Sequence, residues 1–154
     1  MIRELRVPLA WHWIERVRDT VAEVLRTSSD DLREAAVMVA SELAENLVKY
    51  GHPVDGEDSG RIAIEVEDGF VTISSENGTS ADEAEKVVAL VRSIASTDDV
   101  QSLYVARLTS MAVSPGDTAS ELGLLRIAFE GGFVLKAEYE APRLRLQAKR
   151  RIVS

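Results

Sequence analysis

In the run Ser41-Glu42-Leu43-Ala44-Glu45-Asn46-Leu47-Val48-Lys49-Tyr50-Gly51-His52, the residues Glu42, Asn46 and Tyr50 recur at every fourth position. On a helix that spacing sets a carboxylate, a carboxamide and a phenol along one stripe. Such a stripe can hold a hydrated Mg²⁺ through the amide oxygen, while the carboxylate activates a water or a hydroxyl. The polar edge of an ordinary solvated helix has the same pattern, and on spacing alone that plainer reading has the greater weight.

A helix must present this stripe. Ser28 or Ser29 can cap it, Asp30 and Asp31 suit its positive end, and Leu32, Ala36, Val39, Ala40, Leu43 and Leu47 form one apolar face as far as Tyr50. Gly51 and Pro53 stop it. Before it, Leu5, Val7 and Leu9 alternate as a short strand over residues 3 to 9, and Ile14, Val17, Val21, Val24 and Leu25 mark a helix from Trp11 to Arg26. Trp11 and Trp13 are expected to fill core at its start.

After the polar loop of residues 53 to 60, Ile62, Ile64 and Val66 alternate, Asp68-Gly69 supplies a tight turn, and Val71 and Ile73 resume the alternation. Ser80 with Glu83 makes a capping box for a helix carrying Ala84, Val87, Val88, Val91 and Ile94. Thr97, Asp98 and Asp99 start another, with Val100, Leu103, Tyr104, Leu108 and Met111, which residues 114 to 117 break. A last helix covers Glu121 to Phe129, and two alternating strands close the chain around Pro142. The order β, α, α, β, β, α, α, α, β, β predicts one domain over residues 1–154, an α/β two-layer sandwich whose helices cover one face of a mixed, mostly antiparallel sheet.

Glu42 to Gly51 resembles the N-box of the GHKL (histidine-kinase-like) ATPase superfamily, especially its anti-sigma factor and serine-kinase branch: Glu, three residues, Asn, three residues, a His, Lys or Tyr, then Gly. Ser75-Glu76-Asn77-Gly78 stands where that family has its first glycine box, residues 79–119 where it has a mobile lid, and Ser120-Glu121-Leu122-Gly123-Leu124 where it has its second. The resemblance implies the Bergerat fold, Glu42 as catalytic base and Asn46 as the Mg²⁺ ligand. It also implies Mg-ATP contacts at Ser75, Glu76, Asn77, Gly78, Leu122, Gly123 and Leu124.

Both boxes depart from the family pattern. The adenine-binding Asp position falls on Ser75, with Asn77 and Thr79 replacing glycines, and a serine lacks the charge that strengthens such a hydrogen bond. Glu76 would substitute only after a one-residue slip, which reverses its face. Glu121 stands at the expected first glycine of the second box, where small residues let backbone N–H groups approach phosphates. Two apolar-striped helices replace the short lid, and any part of the Val87, Val91, Ile94 or Leu103, Leu108, Met111 surface left uncovered would serve a homodimer or a partner.

Composition bounds the chemistry further. The 154 residues fit one compact domain, and 45% hydrophobic against 29% charged residues is enough to pack it. A net charge of −8 argues against nonspecific nucleic-acid binding, although Arg143, Arg145, Lys149, Arg150 and Arg151 follow Pro142 with no acid among them and read as basic gatekeepers of an edge strand. No cysteine is present, which excludes disulfides, thiolate metal sites and cysteine nucleophiles, and two histidines, His12 and His52, are too few for a histidine-rich metal site. No stretch is apolar enough to span a bilayer, so a cytoplasmic protein without membrane contact is expected.

Three functional readings follow. In the first, the resemblance implies a regulatory protein that acts by protein contact with weak or lost ATP binding, its partner an anti-sigma-factor antagonist with a STAS domain. In the second it is an ATP-dependent protein serine kinase that phosphorylates such a partner. In the third it is a structural homodimer without nucleotide.

Overall fold

The computed structural model describes residues 1–8, 10–54, 59–113 and 118–152. Leu9, most of the polar loop before the hairpin and the helix breaker at 114–117 therefore lie outside the described residues. Ten elements follow in the order β1 (Ile2–Pro8), α1 (Trp13–Val24), α2 (Asp30–Tyr50), β2 (Ser59–Glu67), β3 (Phe70–Gly78), α3 (Ala81–Ser96), α4 (Val100–Val113), α5 (Thr118–Phe129), β4 (Val134–Glu140) and β5 (Arg143–Arg151).

The strands form one sheet in the order β1-β2-β3-β5-β4. All four pairings are antiparallel, so the two-layer sandwich is as expected while the sheet is not mixed. The turn between β2 and β3 is tight because Asp68 and Gly69 both take positive φ, 53° and 79°, the pair of angles a two-residue hairpin needs. β5 lies inside the sheet between β3 and β4, not at an edge. Its basic residues 143, 145, 149 and 151 are exposed by strand alternation, with Leu144, Leu146 and Ala148 pointing into the core. The second hairpin brings β5 back beside β3, a non-local pairing that alternation within the strand does not encode.

Helix α2 supplies the centre of the second layer. Ser29 Oγ accepts from the Leu32 N–H at 3.2 Å, Asp30 and Asp31 occupy the first turn, and seven side chains from Leu32 to Leu47 are buried. It packs on β2 and β3 with α1 and α5 beside it, while α3 lies on β4 and α4 on α5. Val7, Ile62, Ile64, Val71, Ile73, Leu135 and Leu146 complete the core from the sheet. Trp13 is partly buried against that core, but Trp11 is 56% exposed, because the chain has not yet entered α1 there and turns the ring outward. At α4 the capping side chain is Asp99, whose Oδ1 accepts from the Ser102 N–H at 3.0 Å.

Candidate functional site

Helix α2 ends over the far end of β3. Gly51 donates to the Leu47 carbonyl at 2.9 Å and is extended rather than left-handed, and His52 N–H then donates to Gly78 O at 2.7 Å. That contact ties the end of α2 to the end of β3 and fixes the spacing between them. Gly78 fits this contact because it has no side chain: a Cβ there would lie 2.2 Å from Val54 Cγ2 and 2.5 Å from the His52 carbonyl oxygen.

A cleft of about 710 Å³, its open mouth included, lies between these two ends and the helices α3 and α5. Asn46 and Tyr50 line it from α2, and Asn77 and Thr79 from the end of β3. Leu144 and Leu146 of β5, Val87 and Leu90 of α3 and Leu124 of α5 make its apolar walls. Its charged lining residues are Glu83 and Lys86, 3.7 Å apart as an ion pair, and Glu121.

Strand alternation decides which box residues reach it. Ser75 and Asn77 lie on the inner face of β3 with Thr79 just past its end; Asn77 and Thr79 line the cleft, while Ser75 sits one step deeper at 3% exposure, between Ile62 and Leu146 in register. Glu76 turns to the opposite face, where it lines a smaller pocket with Arg61 and Arg143 instead of the cleft. Asn77 Nδ2 donates to Gly78 O at 3.0 Å. Thr79 is fixed on three sides: its Oγ1 donates to Tyr50 O at 3.4 Å, its N–H to Pro142 O at 2.9 Å, and its carbonyl accepts from the Tyr139 hydroxyl at 3.4 Å.

Glu42, one turn earlier on α2, meets α5 instead of the cleft. Arg126 Nη1 donates to its Oε1 at 3.2 Å, and Arg126 Nε donates to Glu130 Oε2 at 2.7 Å. A Cβ on Gly123 would stand 2.5 Å from Glu42 Oε2, so the glycine of the second box makes room for this carboxylate. Burial pushes the Glu42 carboxyl above its ordinary value, Glu45 adds to the rise, and the Arg126 guanidinium opposes it. Leu122 is half-buried beside Gly123.

Glu121 lies in the first turn of α5, which begins three residues earlier than the sequence pattern predicts. Its Oε2 is buried, stands 3.1 Å from Arg107 Nη1 of α4, and accepts no hydrogen bond among the described residues, so the contact is Coulombic and not an aligned bond. Sequence reasoning missed Arg126 and Arg107. Gly123 and Arg126 fall at helical spacing on α5, with Glu130 four residues on just past its end, which is a signal for the first; Arg107, on a different helix, leaves none. Among the described residues no group of three or more His, Asp or Glu side chains gathers to hold a metal, and no helix is long and apolar enough to cross a membrane.

No family model and no curated protein matches the chain. Solved structures do. The SiaB–SiaC complex from Pseudomonas aeruginosa contains a chain that superposes with a TM-score of 0.74 at 19% identity, over 96% of this chain and 88% of that one. The chain shares the fold of that one. The RsbU and RsbW domains of Rv1364c from Mycobacterium tuberculosis superpose with a TM-score of 0.58 at 15% identity, over 99% of this chain and 32% of that longer one. At these identities the likeness is one of architecture.

Proposed function

We propose that this chain is a regulatory protein of the anti-sigma factor type that acts by contact with another protein, and that its cleft binds Mg-ATP weakly or not at all. The observation that carries the second half is Glu121. Its carboxylate occupies the first turn of α5 inside the cleft, the position at which a phosphate-binding helix end must present bare N–H groups. At a separation of about 5 Å and an effective dielectric of about 20, repulsion between it and a phosphate charge is roughly 3 kcal/mol, or about two decades in affinity. Arg107, 3.1 Å away, offsets part of that charge.

The remaining residues fit the nucleotide poorly as well. Asn46 offers a single hard ligand for Mg²⁺, Ser75 is neutral, and the Glu42 carboxylate is engaged by Arg126. Protein contact is supported by the likeness to a chain solved as a two-protein complex, and the resemblance to the anti-sigma branch suggests a STAS-domain antagonist as the partner. Calorimetry with Mg-ATP on the purified protein tests the reading: no heat is expected at micromolar nucleotide, and Glu121→Gly is expected to raise affinity. Micromolar binding by the wild-type protein overturns it.

A serine kinase is the second reading, favoured by Asn46 lining the cleft with Glu42 one turn away on the same helix. Transfer of phosphate from Mg-ATP to a purified STAS-domain protein, lost on Glu42→Gln, would establish it.

A further inference from the structure

Strand β4 is the edge of the sheet on the side away from β1, and β5 is its single partner. Every second residue of such a strand turns its N–H and C=O outward, a row of unpaired groups that another extended chain can complete. Helix α3 packs on β4. Between them runs a groove holding about 1490 Å³ of space open to solvent, lined by residues 84–92 of α3 and 137–140 of β4.

The lining is what keeps the groove open. Val88 and Ala89 of α3 and Ala137 of β4 line it, small or short apolar side chains that leave width for an incoming strand. The rim carries Glu85 and Glu138, neither of them in an ion pair among the described residues, with Glu140 next to them and Arg92 at one end. With Lys86 also in the lining, three carboxylates stand against two cations, so the rim is net acidic by one charge, and the whole chain carries −8. Backbone pairing along a strand edge with alternate side chains dropped against a helix is a known mode of peptide recognition.

We propose that an extended, net-basic segment of a protein partner adds to β4 as a sixth strand, with alternate small apolar side chains seated against Val88 and Ala89 of α3. The proposal rests on the reading of the chain as a protein-contact regulator and names where that contact is made. It also gives the contact a route to the cleft. Helix α3 is the shared wall: Val87 and Leu90 face the cleft, Val88 and Ala89 face the groove, and Lys86 borders both. A strand seated in the groove bears on the back of the helix whose front closes the cleft.

The test uses a labelled seven-residue peptide of alternating valine and lysine, the length of β4, titrated with the full chain by fluorescence anisotropy. Saturable binding and slowed amide exchange over residues 137–140 are expected. Methylating alternate peptide nitrogens, which removes the donors of the ladder, and Ala89→Trp, which fills the groove from an exposed helix position, should each weaken binding by at least about tenfold. No binding of the parent peptide overturns the proposal, and so does equal binding by the methylated peptide or by Ala89→Trp, since charge attraction alone would then explain the affinity. Capture of a STAS-domain protein that survives Ala89→Trp overturns this surface while leaving the protein-contact function standing.

Discussion

Arg126 Nη1 of α5 reaches across 84 residues of sequence to Glu42 Oε1 of α2 at 3.2 Å, so that one helix holds the carboxylate the other presents. The guanidinium is itself shared with Glu130, so Glu42 is one of two acceptors on a single cation. The ion pair lowers the proton affinity of the carboxylate, against the burial that raises it on balance.

The electrostatics of Glu42 set a pH dependence. Burial, the largest cause, raises its folded value above 4.5, so between 4.5 and that value the folded chain binds more protons than the unfolded one. Stability contributed by this group therefore falls as pH rises through that window and stays reduced above it. Relative to the wild type, Glu42→Gln should gain stability as pH rises from about 4 to neutrality, because the variant has no such titration. Arg126→Ala removes the opposing influence and should extend the window to higher pH. Melting temperatures of the three proteins across that range measure both effects, and parallel curves would refute the assignment.

Gly123 and Glu42 should be energetically coupled. Gly123 lies inside α5, where alanine is favoured over glycine by about 1 kcal/mol, yet a Cβ there meets Glu42 Oε2 at 2.5 Å. Gly123→Ala is accordingly expected to give little or no stabilisation in the wild type, because the carboxylate must move off Arg126. In a Glu42→Ala background the same change should recover about 1 kcal/mol. A double-mutant cycle by denaturant unfolding reads the difference, and additive effects would show that the two do not touch.

How far the sequence carried depended on the range of each signal. Local signals were legible: the Asp68-Gly69 turn, the Ser29 and Ser80 caps and the buried stripe of α2 all stand where spacing put them. Long-range ones were not. The interior place of β5 follows from pairing with β3, which shares no local cue with it, and the basic run looks the same on an edge strand as on the open face of an inner one. At the site, strand parity decided Asn77 against Glu76, since one residue of register reverses the face. The stripe of Glu42, Asn46 and Tyr50 was visible, but its division was not. Asn46 and Tyr50 turn to the cleft and Glu42 to α5, because Arg126 and the bare Gly123 offer the carboxylate a partner and room.

Gly78, which the family resemblance assigns to nucleotide contact, should matter for stability whether or not nucleotide binds. Its missing side chain admits Val54 and the His52 carbonyl, and backbone cannot move aside as a side-chain tip can. Gly78→Ala is expected to cost about 1 to 3 kcal/mol by overpacking, read as a lowered denaturation midpoint with an unchanged slope. A variant as stable as the wild type would mean that the tie between the end of α2 and the end of β3 is loose.

The final prediction separates the cleft from the scaffold on a single helix. Asn46 is half-buried and lines the cleft, whereas Leu43 is fully buried on the face that α2 turns to the sheet. Leu43→Ala should therefore cost about 2 to 5 kcal/mol, the loss of a core side chain plus the cavity it leaves. Asn46→Ala removes an amide from the cleft wall and no core volume, so its cost should stay within about 1 kcal/mol. If the chain is a contact regulator, Asn46→Ala should leave capture of a STAS-domain partner unchanged; if it is a kinase, the same change should abolish phosphotransfer with the fold intact, because it deletes the Mg²⁺ ligand. Melting curves and a binding assay on both variants distinguish the cases. Destabilisation by Asn46→Ala equal to that by Leu43→Ala would assign the amide to the scaffold and remove it from any site.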